Sequence, residues 1–403
     1  ENGKKFQDIR VKKMKERRKI RISNFGNYFL KEDYDLGEVF FRSFLKWQLP
    51  NPDTNDYKAE HGYNIKPFIA TLHLINKVNK ICNNKGTKAK GISRIEFMLF
   101  GLTLFNFEKI QEDAENLYKF REKFEKLNTD IEKNTLIDNY IDKNLSHIDG
   151  TNNLNDYADN VIRYFRLTRY IYLRGNGWYI DLEPRRIVEI NSILQNDNAS
   201  AIVFENKADY RNYICDLAQP ILPWENKVEL IKIGEATVSD IKQYQKELAA
   251  KAIYFPTFDI IDFKALSNEN LKSYIQDLRD YRKKLQQLEI HHNSQQTIEV
   301  EKYSIELKKI FKSKSKKPVE LERLCSLALI ALNDAINIKP NYPVGDDNEP
   351  TFTAPANKPD IECYYETFNA ICEVTMLTNR QQWYAEGQPV MRHLRDFENS
   401  NKK

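Results

Sequence analysis

Near the C-terminal end of this 403-residue chain, Asp360, Glu373, Glu386 and His393 fall within one short stretch that runs from Asn357 to His393. Ile361 to Tyr365 and Phe368 to Thr375 are β-branched and aromatic runs separated by Glu366-Thr367, the pattern of a β-hairpin closed by a two-residue turn. In such a hairpin, residues whose numbers share one sum face each other, so Asp360 is expected opposite Glu373 on the same face. Two carboxylates with the Val374 carbonyl beside them make an all-oxygen site suited to Mg²⁺. Glu386 precedes a predicted helix, Gln388 to Glu398, with Pro389 in its first turn. His393 lies about two turns beyond Glu386, so both face the same side. A third carboxylate and an acid/base group thus join the two hairpin acids. The plain alternative is a surface hairpin with acidic ends, because P-D followed by E-x-T recurs by chance in chains of this length.

The same residues carry a resemblance. Pro359-Asp360, Glu373-Val374-Thr375, Glu386 and Arg392-His393 resemble, in type and spacing, the motif of the AlwI-like type IIS restriction and nicking endonucleases, a branch of the PD-(D/E)XK nucleases. The resemblance implies a Mg²⁺-dependent, site-specific DNA endonuclease that hydrolyses a phosphodiester outside its recognition sequence. It implies double-stranded DNA as partner, with a homodimer or a second nuclease subunit where both strands are cut. Catalytic roles are implied for Glu322, Asp360, Glu373, Glu386 and His393, with Asp360, Glu373 and Val374 holding the metal. Thr375 stands where the wider superfamily has a lysine, which leaves Glu386 and His393 to activate water. Residues 160–176 (N-V-I-R-Y-F-R-L-T-R-Y-I-Y-L-R-G-N) resemble the family's second recognition subdomain, and Lys19 to Leu30 the tail of its first. Further strands follow the last helix in that family. The chain is therefore expected to be a fragment at both ends, with an unpaired sheet edge on the Phe368–Thr375 strand or its partner, and to cut poorly alone.

The elements that must position these groups form a multidomain, mostly α chain of about two to four units. Its 62 Lys and Arg against 58 Asp and Glu give a net charge of +4, which permits nucleic-acid binding without demanding it. No apolar run approaches a membrane span and no signal peptide is present. The five cysteines are scattered without a C-x-x-C spacing, and read as reduced core residues of a cytoplasmic protein. By the same resemblance residues 1–60 are expected to be the remnant of a first recognition subdomain, with a basic run at 4–21 that is a solvated face or a neighbour of phosphates, and a helix from Glu38 to Gln48.

Residues 61–200 read as a winged-helix DNA-recognition unit. Ile65–Val78 is its first helix, a Ser93–Glu96 capping box opens Ile95–Leu102, and Phe107–Lys126 and Leu154–Thr168 follow. A hairpin from Tyr170 to Asp181 turns at Asn176-Gly177. Arg163, Arg166 and Arg174 are its expected DNA contacts. Residues 201–310 read as a helical linker, with a helix capped at Ser239 and ended by Pro256, and a second capped at Ser267 with Leu271, Ile275, Leu278 and Leu285 for packing. His291 and His292 end that helix without acidic or thiol partners and are not expected to bind metal. Residues 311–403 form an α/β cleavage domain of the PD-(D/E)XK type, C-terminally incomplete, entered by a basic hinge at Lys308–Lys317 and one helix from Val319 to Ile338 with Glu322 in its first turn. The rival reading is a non-catalytic winged-helix DNA-binding protein or a pseudonuclease, in which Asp360 and Glu373 sit in salt bridges or point apart.

Overall fold

Long charged runs with apolar residues at helical spacing dominate the chain, and helix is accordingly its main element. The computed structural model describes residues 22, 24–30, 34–54, 57–145, 153–174, 179–312 and 317–401; the basic run at 4–21 and the Asn176-Gly177 turn lie outside them. Helices α1 (Asn24–Phe29) and α2 (Leu36–Lys46) lead to α3 (Pro67–Asn84), β1 (Ile92–Ser93), and a short helix α4 (Arg94–Glu96) that continues as a π turn at Phe97–Gly101. Then come α5 (Ile110–Phe124), α6 (Asp130–Asn144), α7 (Leu154–Leu167), β2 (Ile171–Arg174) and β3 (Tyr179–Leu182). The capping box forms as read: Ser93 Oγ accepts from the Glu96 N–H while Glu96 accepts from the Ser93 N–H. β2 and β3 pair antiparallel with Arg174 opposite Tyr179, and β1 adds to β3 to give the order β1-β3-β2.

One hydrophobic core runs from Phe41 to Leu285 and crosses residues 60 and 200 without interruption. Phe41 stacks on Tyr170 at 4.0 Å, and Phe68 packs edge-on against Phe165 of α7, so α2, α3 and the hairpin are held by shared rings. Helices α8 (Ile187–Asn196), α9 (Lys207–Cys215), α10 (Lys227–Ala250), α11 (Asn268–Ser294) and α12 (Thr297–Lys312) follow. The expected cap at Ser239 is not a helix start. Asn226 caps α10 by accepting from the Glu229 N–H, and Ser239 lies inside the helix, which ends at Ala250 before Pro256 is reached. Gly234 does not break α10, because the Phe263 ring packs where its Cβ would stand, 3.1 Å away. Ser267 does cap α11. The two long helices run in the same direction, since residues 253–262 return extended along them, fixed by Tyr281 Oη on the Pro256 carbonyl at 2.6 Å and Tyr274 Oη on the Asp259 carbonyl at 2.7 Å.

The C-terminal module is α13 (Pro318–Leu332), β4 (Asn337–Pro340), β5 (Ile361–Tyr364), β6 (Asn369–Cys372) and α14 (Asn379–Ser400). Two expectations need correction here. The Val319–Ile338 helix stops at Leu332, where Asn333 turns left-handed at φ 53°, and Asn337–Pro340 becomes a strand with Pro340 opposite Ile361. Asn supplies that stop because its short polar side chain tolerates the left-handed region. β5 is therefore central and covered on both edges, and among the described residues the outer edges of β4 and β6 lack a strand partner. The last helix begins at Asn379 and not near Gln388, so Pro389 lies in its interior. The carbonyl that Pro389 leaves free is that of exposed Ala385, open to water, which makes the interior proline tolerable. A small core of Tyr303, Ile310, Leu321, Leu324 and Leu327, with Val374 and Met376 against it, joins α12 and α13 to the sheet.

This module is pinned to the rest through a buried ion cluster. Asp346, on the loop between β4 and β5, is inaccessible; its carboxylate receives Arg186 at 2.6 Å and Arg282 of α11 at 3.2 Å, while Gln286 donates to its carbonyl at 3.2 Å. Burial alone would raise the Asp346 pKa, but Arg186 and Arg282 hold it well below the usual carboxylate range.

Candidate active site

The register of β5 and β6 sets the site. Ile361 faces Cys372, Tyr364 faces Asn369, and the Tyr365 N–H donates to the Phe368 carbonyl at 3.0 Å, so the turn has the two residues read from the sequence. Asp360 and Glu373 fall at the next opposed position beyond the ladder. The Val374 N–H donates to Asp360 Oδ2 at 2.7 Å and the Asn341 N–H to the Asp360 carbonyl at 2.9 Å, which fixes Asp360 from the ends of both neighbouring strands. Glu373 Oε1 lies 2.6 Å from Nδ1 of His393, one of the two buried residues of α14. Glu322 is buried on α13 and accepts from the Ala354 N–H at 3.0 Å. Glu320, not Glu322, occupies the first turn of that helix, so the helix dipole does not account for Glu322.

Electrostatics tie these groups together. Burial pushes the Glu322 carboxyl up to about 7, opposed by the Ala354 N–H and reinforced by the charges of Asp360 and Glu373. Burial also pushes Asp360 up to about 6; the Val374 N–H and His393 oppose this, and Glu373 and Glu386 add to it. Half-buried Glu386, in the body of α14, is close enough for its charge to act on Asp360. Asp360 has no ion-pair partner among the described residues, whereas Glu373 has His393. Nδ1 is the ring atom of His393 that meets Glu373, and Nε2 is shut off from solvent and without a hydrogen-bond partner among the described residues.

Of the two hairpin carboxylates, the kind of oxygen donor a hard divalent cation takes, Asp360 has no cation beside it among the described residues and Glu373 is bonded to His393. Among the described residues no three His, Cys, Asp or Glu side chains stand at metal-ligand spacing; what the structure brings together is Asp360 on the Val374 N–H, Glu373 on His393 and Glu322 on the Ala354 N–H. Sequence reasoning missed two thiols at the site. Cys325 is pushed up to about 11 by burial and then by Cys372, Asp360 and Glu322, and Cys372 is raised by burial and by Asp360 and Glu373, so both are neutral walls.

A family model described as AlwI restriction endonuclease matches residues 10–403. The chain belongs to that family. No curated protein matches it. Membership in the AlwI restriction endonuclease family makes the chain a restriction endonuclease, with DNA as substrate. No described helix is long and apolar enough to cross a membrane.

The three arginines expected at DNA differ in setting. Arg163 is exposed on α7. Arg166, one turn on, has a buried Nε without a partner; burial lowers its pKa, and the charges it faces are Asp347, Glu349 and Glu183 of this chain. Arg174 is half-buried and bonds Asp181 at 2.7 Å, which raises its pKa. The acidic loop around Asp346 was also missed. Its only sequence signal is G-D-D-N-E, which reads as a solvated turn until the arginines of other segments are placed beside it.

Proposed function

We propose that this AlwI-family restriction endonuclease is a Mg²⁺-dependent enzyme of the type IIS or strand-nicking kind. Its PD-(D/E)XK-like module at residues 311–403 hydrolyses a phosphodiester outside the sequence held by a winged-helix unit at residues 61–200, in the cytoplasm. Support for the winged helix is the sheet order β1-β3-β2 with α3 before β1 and α4 and α7 between β1 and β2, although two further helices, α5 and α6, stand between α4 and α7. The observation that carries the catalytic reading is the convergence of Asp360, Glu373 and His393, one carboxylate fixed by a backbone N–H and the other bonded to an imidazole. The non-catalytic rival expects Asp360 and Glu373 in salt bridges or pointing apart; Glu373 does pair with His393, whereas Asp360 has no ion-pair partner among the described residues.

Asp360, Glu373 and the Val374 carbonyl would hold the metal, with Glu322 in support. Bound there, Mg²⁺ supplies charge neutralisation at the phosphate and a lowered pKa for water. The Val374 and Ala354 N–H groups keep Asp360 and Glu322 aimed without supplying a positive charge that would compete with the cation. Glu373 holds the His393 ring through Nδ1, and the enclosed Nε2 would serve as base for an attacking water where that water enters the enclosure. Glu386 adds a carboxylate from the same helix to position that water.

The test is incubation of the intact protein with plasmid DNA and Mg²⁺, followed by mapping of the ends, beside Asp360→Asn. Cleavage at a fixed offset that is lost in the variant, with specific DNA binding kept within about threefold, supports the assignment. End mapping also separates nicking from double-strand cutting, which would call on a second copy or a second nuclease subunit. Wild-type cutting by Asp360→Asn in Mg²⁺ would sink the metal site.

A further inference from the structure

We propose that the exposed face of α7 reads bases in the major groove of duplex DNA, through Asp156, Asn160 and Arg163. The proposal rests on the reading of residues 61–200 as the DNA-holding unit and names the side chains within it that carry sequence information. Helix α7 buries Leu154, Ala158, Ile162 and Phe165 against the core, which turns the opposite stripe outward. Asp156, Asn160 and Arg163 are all exposed on that stripe, at spacings i, i+4 and i+7. Seven residues of helix rise about 10 Å, the length of roughly three stacked base pairs.

Their chemistry covers three different base edges. A carboxylate accepts from the cytosine amino group, a carboxamide pairs with adenine N6 and N7, and a guanidinium with guanine O6 and N7. What singles out these three is that they are uncommitted. None makes a side-chain hydrogen bond or ion pair among the described residues, whereas neighbouring arginines are held internally: Arg94 by Asp159, Arg121 by Glu96, Arg169 by Asp35 and Arg174 by Asp181. An arginine held by a carboxylate has spent its paired donors; Arg163 has not. The occupant is duplex DNA because the family acts on DNA and because the face offers donors and acceptors of both kinds without an apolar anchor at its centre.

The experiment is selection of randomised duplexes by the intact protein in the absence of divalent ions, with sequencing of the bound fraction, for wild type, Asn160→Ala, Arg163→Ala, Arg163→Lys and Arg174→Ala. Each Ala change on α7 is expected to relax preference at one base pair by about fivefold to a hundredfold. Arg163→Lys should relax the same position while keeping the salt dependence, and Arg174→Ala should leave the preferred sequence unchanged. Three results would overturn the proposal. One is a wild-type preference retained by both Ala variants; a second is a uniform loss on all sequences with the salt slope reduced by about one, which would make Arg163 a phosphate contact. The third is a wild type that selects no sequence at all. Plasmid cleavage in Mg²⁺, run in parallel, is independent: cutting that persists at relaxed sites leaves the catalytic assignment standing whatever becomes of α7.

Discussion

Replacing Asp360 by Asn is expected to stabilise the metal-free protein at pH 8 while it removes cleavage. Asp360 titrates at about 6 in the fold against an ordinary value of 3.8. Between those values the folded state binds more proton than the unfolded one, so the contribution of this group to stability falls as pH rises through the window and is lowest above it. Raising a carboxyl from 3.8 to about 6 corresponds to ~3 kcal/mol if fully expressed. Solvent screening at a half-buried side chain reduces this to about 1–2 kcal/mol. Asn keeps an oxygen for the Val374 N–H, so the hydrogen bond at 2.7 Å survives while the charge facing Glu322 and Glu373 is lost. For a unit of about 150–250 residues the gain is a rise in Tm of roughly 2–8 °C. Calorimetric melts in EDTA should show the difference at pH 8 and about half of it at pH 5. Added Mg²⁺ should then raise the wild type and leave the variant nearly unmoved. A variant that melts at or below the wild type at pH 8 would refute the reasoning, since it would mean that the Asp360 charge is already compensated in the fold.

Binding of Mg²⁺ should release protons, because Glu322 at about 7 and Asp360 at about 6 are partly protonated near neutrality. About 0.6 proton per ion is expected at pH 7 and about 1.4 at pH 6, measurable by titration calorimetry in two buffers of different ionisation enthalpy; release near zero at pH 6 would contradict the shared site. Asp346→Ala takes the closest anion from buried Arg186 and Arg282, which keep only Glu189 at 3.4 Å and Asp240 at 3.3 Å, and should cost about 3–5 kcal/mol, seen as a lower Tm. An unchanged melt would mean that the cluster is hydrated and not a pin.

The hairpin register was legible because it depends on one local feature, a two-residue turn, and pairing numbers then follow along the whole ladder. The caps at Ser93 and Ser267 were legible for the same reason, each being a side chain that reaches its own next turn. What failed was judged by local signals that a stronger neighbour overrode. Asn226 starts α10 earlier than Ser239, and Pro389 looks like a helix start only while the exposed turns before it are ignored. Strand β4 was hidden because N-I-K-P has one apolar residue and a proline, and it becomes a strand only through the β5 edge waiting beside it. Asp360, Glu373, Glu386 and His393 could be brought together from turn and helix geometry. The burial that raises Glu322, and the internal carboxylates that claim Arg174 and surround Arg166, depend on segments far apart in the chain and could not be read from spacing.

The Asp346 pin bears on exchange of parts between enzymes. A catalytic half transplanted from this chain onto a foreign DNA reader would bring a carboxylate shaped to sit between two guanidinium groups, and would meet a surface that lacks them. Transplants that cut at residue 311 would orphan Asp346 on one side and Arg186 and Arg282 on the other. A graft that carries α11 along with the catalytic half, and with it Arg282 and Gln286, keeps half of the cluster intact. The natural seam for recombination therefore lies upstream of α11, and not at the basic hinge where the chain looks easiest to divide.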